Sequence, residues 1–138
     1  MSTRSRIGIV KEDGTIESIY CHWDGYPSHN GRILLENYTD RSKVSELIGL
    51  GDLSSLGESV HPDPSHTHTF NDPQDKVCVF YKRDRSEKNC DSITSKSVDD
   101  LMTAADWCDY VYVFEGDRWL CTSMHSRKTE FLDKYFQD

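Results

Sequence analysis

Three groups of residues in this chain combine side-chain types from which functional sites are made. The first is Tyr20–Gly31, YCHWDGYPSHNG, where Tyr20, Trp23 and Tyr26 stand among Cys21, His22, Asp24 and His29. Aromatic rings in such a turn can anchor a partner, because a large rigid surface is buried at small entropic cost. The second is His61–His68, HPDPSHTH, whose His66 and His68 would share a face in an extended chain. Zinc takes imidazole and carboxylate ligands tetrahedrally, so this stretch is a candidate metal site. The third is Lys82–Glu87, KRDRSE, the one concentrated positive segment, where Arg83 or Arg85 could grip a phosphate or carboxylate through its forked guanidinium.

Each reading competes with a plainer one. In the first group, Asp24-Gly25 turns the chain, Pro27 holds Tyr26 extended, and Asn30 is placed to cap a following helix. Those jobs leave the rings as surplus. We therefore expect His22, Trp23, Asp24 and Tyr26 as contact residues, with Trp23 and Tyr26 as anchors and Asp24 as turn-former or acceptor. The histidine stretch lacks the second ligand cluster with which zinc sites pair such residues. His61, His66 and His68 are read as members of a proline-rich loop, with no metal or other cofactor expected. For Arg83 and Arg85 the plain reading is local ion pairing with Asp84 and Glu87. Their functional reading is a second binding locus for a nucleotide-like ligand, which requires one of them to lie near Trp23.

Catalysis finds little purchase. A nucleophilic cysteine needs a base within reach, yet Cys21 and His22 are neighbours in a predicted strand and point to opposite faces. No motif ties Cys21 to His29, His66 or His125, and Cys78 and Cys121 read as buried and inert. The chain has no GxxxxGK[ST], no GxGxxG and no paired HxT motif. We expect a binding protein in preference to an enzyme.

Local patterning predicts the elements that hold these groups. Arg6–Val10 and Ser18–Trp23 flank an Asp13-Gly14 turn and read as a hairpin. Ile33, Leu34 and Tyr38 share a helical face, and Asp40 caps a second helix over 41–50, closed by Gly51. Residues 52–57 read as a tight helical turn, and 58–75 as a long Pro- and His-rich loop. Lys76–Lys82 alternates as a strand, 83–96 is irregular, and Ser97 caps a helix over 98–108 that carries Leu101, Met102, Ala105 and Trp107. Tyr110–Phe114 and Trp119–Thr122 form a second hairpin, and Arg127–Phe136 a final helix. The expected fold is a single α+β domain over 1–138: an antiparallel sheet of about five strands packed with three to four short helices.

The totals fit that picture. At 138 residues, 36% hydrophobic, the chain is long enough for one modest core, to which three Trp, seven Tyr and five Phe add large buried areas. Five cysteines without a CxxC pair, and an opening MSTRSRIGIV with no apolar run of signal-peptide length, predict reduced thiols in a cytoplasmic, soluble protein. The net charge of −8 argues against nucleic acid as a partner. Residues 11–75 alone carry four basic and twelve acidic side chains. An acidic surface can meet a basic protein partner or imitate DNA, but the mixture of signs here suits a DNA mimic poorly. Nothing in the sequence specifies an oligomeric state.

The segments CHWDGYP (Cys21–Pro27) and LGDLSSLG (Leu50–Gly57), with Met1–Ile9, the rest of Gly31–Gly57, Tyr81–Glu87 and Tyr110–Trp119, resemble a small family of uncharacterised proteins of tailed bacteriophages and bacterial mobile elements. The similarity spans roughly half the chain and leaves out loop 58–75. It implies a setting and no mechanism. Small acidic proteins in that setting commonly act by binding, so the expected role is host takeover or counter-defence, by attachment to a host protein in the host cytoplasm. The alternatives are a small-ligand or nucleotide-signal binder, or an enzyme, using the aromatic turn with Arg83 and Arg85 as a pocket, and an acidic DNA mimic.

Overall fold

Turn chemistry starts the fold. Between β1 (Ser5–Val10) and β2 (Ile16–Cys21), Gly14 takes φ 85° and Asp13 accepts from both the amide and the hydroxyl of Thr15. The strands pair antiparallel from Ser5↔Cys21 to Val10↔Ile16. In this computed structural model, which describes residues 2–136, they are the centre of a mixed sheet.

On the far side of β2 two short strands share one edge. β3 (Leu53–Ser55) runs parallel to its end at Cys21↔Leu53, and β4 (Val79–Phe80) closes that side on β3. β5 (Ile93–Ser95) lies antiparallel to its start, from Ile16↔Ser95 to Ser18↔Ile93. On the other side β1 meets β6 (Tyr110–Glu115) in parallel, and β7 (Arg118–Ser123) and β8 (Lys128–Phe131) follow as an antiparallel meander.

Helices cover both faces. α1 (Arg32–Asn37) and α2 (Arg41–Gly49) set Leu34, Val44, Leu47 and Ile48 into a core with Ile7, Ile9, Ile19, Tyr112 and Phe114. Asp40 caps α2 by accepting from Ser42 N–H. Tyr38, fully buried after α1, donates its hydroxyl to Gly57 O at 2.7 Å, and its own carbonyl accepts from Trp119 Nε1 at 2.9 Å. On the opposite face α4 (Val98–Ala104), capped by Ser97, places Leu101, with Ala105 and Cys108 beyond its end, against Ile16, Val111 and Val113. The short α3 (Tyr81–Arg85) follows β4 directly.

The α+β class and the two hairpins stand as expected, but the sheet is larger than five strands and mixed. Among the described residues it has eight strands, with two parallel pairings and four α-helices. Residues 52–57 form β3 instead of a helical turn, because Gly51 at φ 92° redirects the chain alongside β2; a β-carbon there would meet Cys90 O at 2.3 Å. The predicted strand 76–82 shrinks to β4, since Asp84 Oδ2 accepts from Phe80 N–H at 2.9 Å and the chain winds into α3. The irregular stretch 83–96 contains β5. The final helix is replaced by β8 and a tight 3-10 turn at Leu132–Phe136: Arg127 at φ 60° reverses the chain, and Thr122 and Thr129 join hydroxyls across the strands at 2.7 Å. No helix among the described residues is long and apolar enough to cross a membrane.

Where neither β3 nor β5 reaches β2, a side chain completes the ladder. Asp52 Oδ1 accepts from Tyr20 N–H at 2.8 Å, in place of a strand carbonyl. Burial raises the Asp52 carboxyl above its ordinary value of 3.8, against the opposing pull of the Tyr20 N–H and of Arg6. A raised carboxyl makes its largest contribution to stability at acid pH and loses it as pH climbs from 3.8 through the folded-state value. Asp52→Asn, which keeps an acceptor without the charge, is expected to flatten that fall, measured by urea melts at acid and neutral pH. Asp52→Ala orphans the Tyr20 amide and should cost about 1–3 kcal/mol at acid pH, and less at neutral pH, where the native carboxylate carries its burial penalty. Equal stability of the alanine variant and the native chain would show that the carboxylate does not complete the sheet.

Candidate functional site

The aromatic turn grows out of the β2–β3 pairing. His22 N–H donates to Leu53 O at 3.1 Å and Trp23 N–H to Ser54 O at 3.0 Å, so the chain stays in register past the end of β2. Asp24 then adopts a left-handed φ of 57°, a conformation aspartate tolerates better than most residues. Gly25 serves a different purpose from the one its Asp-Gly spacing suggests. Its N–H donates to Thr3 O at 2.8 Å, and a β-carbon would stand 2.8 Å from both Thr3 O and Ser5 Cβ. Only glycine lets the turn lie this close to the start of β1. Tyr26 is extended ahead of Pro27, and Pro27–Gly31 winds back as one wide π-type turn into α1.

Every carbonyl of the turn has a donor. Asn30 Nδ2 donates to Trp23 O at 3.2 Å, Asn30 N–H to Asp24 O at 3.2 Å, Tyr112 Oη to Gly25 O at 2.6 Å, and His29 N–H to Tyr26 O at 3.1 Å. Asn30 is therefore no helix cap; α1 begins at Gly31 without a side-chain cap, and Asn30 is fully buried as the bridge across the turn. Its remaining amide oxygen accepts from His29 Nδ1 at 3.0 Å. Cys21 lies beneath, fully buried, its thiol donating weakly to Trp23 O at 3.6 Å and pushed up to about 12 by burial. Such a thiol is a poor nucleophile.

On this fixed backbone the rings form a ladder across the sheet face. Trp107 stacks on Tyr20 with centroids 4.7 Å apart, Tyr20 meets His22 edge-on at 5.9 Å, and His22 meets Trp23 edge-on at 4.6 Å. Burial raises the Tyr20 phenol to about 12 and lowers the His22 imidazole, with Arg4 adding to the second effect. Tyr20 Oη and His22 Nδ1 share a hydrogen bond at 2.6 Å. Arg4 places its guanidinium 5.6 Å from the Trp107 ring. The two ends of the ladder face solvent: Trp107 is 53% exposed and Trp23 46%. Tyr26, 38% exposed, lies beside His29 at 6.0 Å, and its hydroxyl reaches Asp24 Oδ1 at 3.4 Å.

The structure thus brings His22 and Trp23 together and adds Tyr20, Trp107 and Arg4, which sequence reading did not select. Trp107 belongs, with Leu101, Met102 and Ala105, to the helix predicted over 98–108. Its spacing sets it apart from them: Leu101, Ala105 and Cys108 form the buried i, i+4, i+7 stripe, and Trp107 falls off it. The ladder partner Tyr20 was legible only as the strand residue before Cys21.

Arg83 and Arg85 have internal partners. Arg83 donates to Val60 O at 2.7 Å, to Cys78 O at 2.9 Å and to Asp84 at 2.9 Å. Arg85 lies over the Phe70 and Tyr81 rings, at 4.4 and 5.1 Å, and pairs with Glu87 at 2.6 Å. Neither forms a hydrogen bond, ion pair or cation–π contact with the turn among the described residues, and neither lines the cavity of about 640 Å³ to which the turn contributes Asp24, Ser28 and His29. The histidines separate as well. His61 reaches Glu46 at 3.0 Å and His66 lies 4.0 Å from Asp63, both exposed. His68, with its side chain only 3% exposed, accepts from Gln74 N–H at Nδ1 and lies 3.4 Å from Asp84 at Nε2. No group of three or more metal-ligating side chains assembles among the described residues.

Comparison with protein-family models, with curated proteins and with solved structures returns no match for this chain.

The Arg83 cluster makes a structural prediction. Burial by itself would raise the Asp84 carboxyl; its bonds from Arg83 and from Phe80 N–H outweigh that and hold it below the usual range. Arg83→Met should therefore destabilise by about 2–3 kcal/mol, because Asp84 and two carbonyls lose a charged donor. A urea melt matching that of the native chain would return Arg83 to the candidates for ligand contact.

Proposed function

We propose that this chain works by binding another protein through the ring ladder, with Trp23 and Trp107 as the anchors, His22 and Tyr20 as the struts between them, and Asp24 and Tyr26 on the flank. One observation carries the reading: two half-exposed tryptophans end a continuous stack whose backbone on one side is pinned at every carbonyl. Large rings offered on rigid supports are what binding hot spots consist of, since little freedom remains to be lost on association. The cysteines support binding over nucleophilic chemistry, as burial raises the thiols of Cys21, Cys78, Cys108 and Cys121. The resemblance of CHWDGYP and LGDLSSLG to proteins of phages and mobile elements fits a host protein as the target, with obstruction or redirection of that protein as the effect.

Capture from a host lysate on the immobilised chain, compared across variants, tests this. Trp23→Ala and Trp107→Ala should each weaken a captured protein by about 2 kcal/mol or more, roughly thirty-fold, while thermal melts stay cooperative. A Trp23→Ala chain that folds and captures as the native one does, or a Trp23→Ala chain that fails to fold, ends the proposal. Capture of nucleotide or nucleic acid in place of protein overturns the class of partner.

A further inference from the structure

The groove behind the turn has a character of its own. Its lining combines the apolar side chains of Ile33, Leu56, Val77 and Val79 with polar and charged ones, contributed in part by α1 and by the run 73–77. The chain is closely packed here, since a β-carbon on Gly57 would stand 2.5 Å from Lys76 O, and Ser59 bridges to Val77 beside it. The rim carries charge of mainly one sign. Asp24, Glu58 and Asp75 line it with no cationic partner among the described residues, and Glu36 is matched by Arg32 at 3.2 Å. Lys76 is the cation left to oppose the three. Lys43, close by, spends its ammonium on the carbonyls of Asn37 and Glu58 at 2.8 and 2.7 Å, leaving the Glu58 carboxylate free of it.

These rim acids belong to the stretch 11–75, which holds four basic and twelve acidic side chains, so the charge asymmetry of the sequence is concentrated in part on this groove. At about 640 Å³ the groove has the size of a ligand site. Its unpaired charged groups are mostly carboxylates, which suits a cationic occupant better than an anionic one. A lining that mixes apolar side chains with unpaired carboxylates is complementary to an extended peptide that carries apolar and basic side chains in alternation, which presents the two kinds on opposite sides of the strand.

We infer that the groove receives an extended segment of a partner protein that carries Lys or Arg residues alternating with apolar ones. This rests on the reading of the chain as a protein-binding module, and places a second contact beside the ring ladder, on the other side of the same rigid turn. The ladder supplies anchorage without regard to charge. The groove selects for sign.

A fluorescent peptide alternating Val and Lys, with a Val and Glu counterpart, tests the groove without the partner. The basic peptide should bind saturably and the acidic one should not. Glu58→Gln combined with Asp75→Asn should weaken binding about ten-fold, the sum of two modest ion pairs. Glu12→Gln with Asp117→Asn, which removes the same charge elsewhere, should leave affinity within about two-fold. Amide shifts on titration should fall at Ile33, Glu58 and Val77. Equal binding of both peptides, equal loss in both double variants, or shifts away from the groove would each overturn the inference. Trp23→Ala should leave peptide binding unchanged; if that variant also keeps full partner capture, the ladder reading fails while the groove stands.

Discussion

The buried amide of Asn30 is the interaction on which the candidate surface depends. It spans the turn from below, donating to Trp23 O, while its own backbone N–H takes Asp24 O and its oxygen takes His29. Tyr112, from the strand parallel to β1, completes the set at Gly25 O. A buried amide left half-satisfied would be costly, and one fully satisfied fixes its neighbours. The consequence is a segment rich in residues that favour loops, yet with every carbonyl from Trp23 to Tyr26 committed to the protein interior. The side chains of the same residues are then free to face outwards.

That arrangement follows from the unusual use of the β2 edge. Two short strands and one carboxylate divide its pairing, and the parallel partner β3 arrives at the point where β2 ends. The chain leaving β2 therefore finds a ladder already laid for His22 and Trp23, which keeps His22 on the face of Tyr20, opposite the buried Cys21. Gly51, by turning the chain after α2, and Gly25, by permitting contact with Thr3 and Ser5, join Gly57 as places where the backbone accepts no other residue cheaply.

Much of this was legible in the sequence where the signal is local. The Asp-Gly hairpin, the Asp40 and Ser97 caps, the second hairpin and the exposure-prone ring cluster are each written in a few adjacent residues. Long-range pairing was not. β3 and β5 are three residues each and have no pattern of their own; they are strands because β2 offers an edge. β8 was read as helix because Phe131, Leu132, Tyr135 and Phe136 match a helical face, and the left-handed Arg127 that returns the chain along β7 leaves no signature in residue type. In the candidate site, the turn was visible and its other half was not. Trp107 is eighty-seven positions from Tyr20, the ring it packs against, and only the fold can bring such rings together. For the arginines the plain reading, ion pairs with Asp84 and Glu87, matches the structure, while the further partners of Arg83, Val60 and Cys78, offer backbone carbonyls, which no sequence displays.

Exposed tryptophans on a strongly acidic domain divide the work of association physically. Rings held on a pinned backbone lose little freedom when covered, so their contribution appears as slow release. The carboxylates act at longer range. With a net charge of −8, and with twelve of the twenty-four acids between residues 11 and 75, the field around the turn favours the approach of basic surfaces and repels acidic ones before any contact forms. Carboxylates on a groove rim are still hydrated, so each is worth little once paired, and their value lies in choosing among partners. A surface that used only rings would bind without discrimination, and one that used only acids would bind any basic protein weakly. In the association we propose, the turn sets the two beside each other on one rigid support, and selectivity would then require a partner that presents an apolar face to the ladder and a basic extended segment to the groove at the same time.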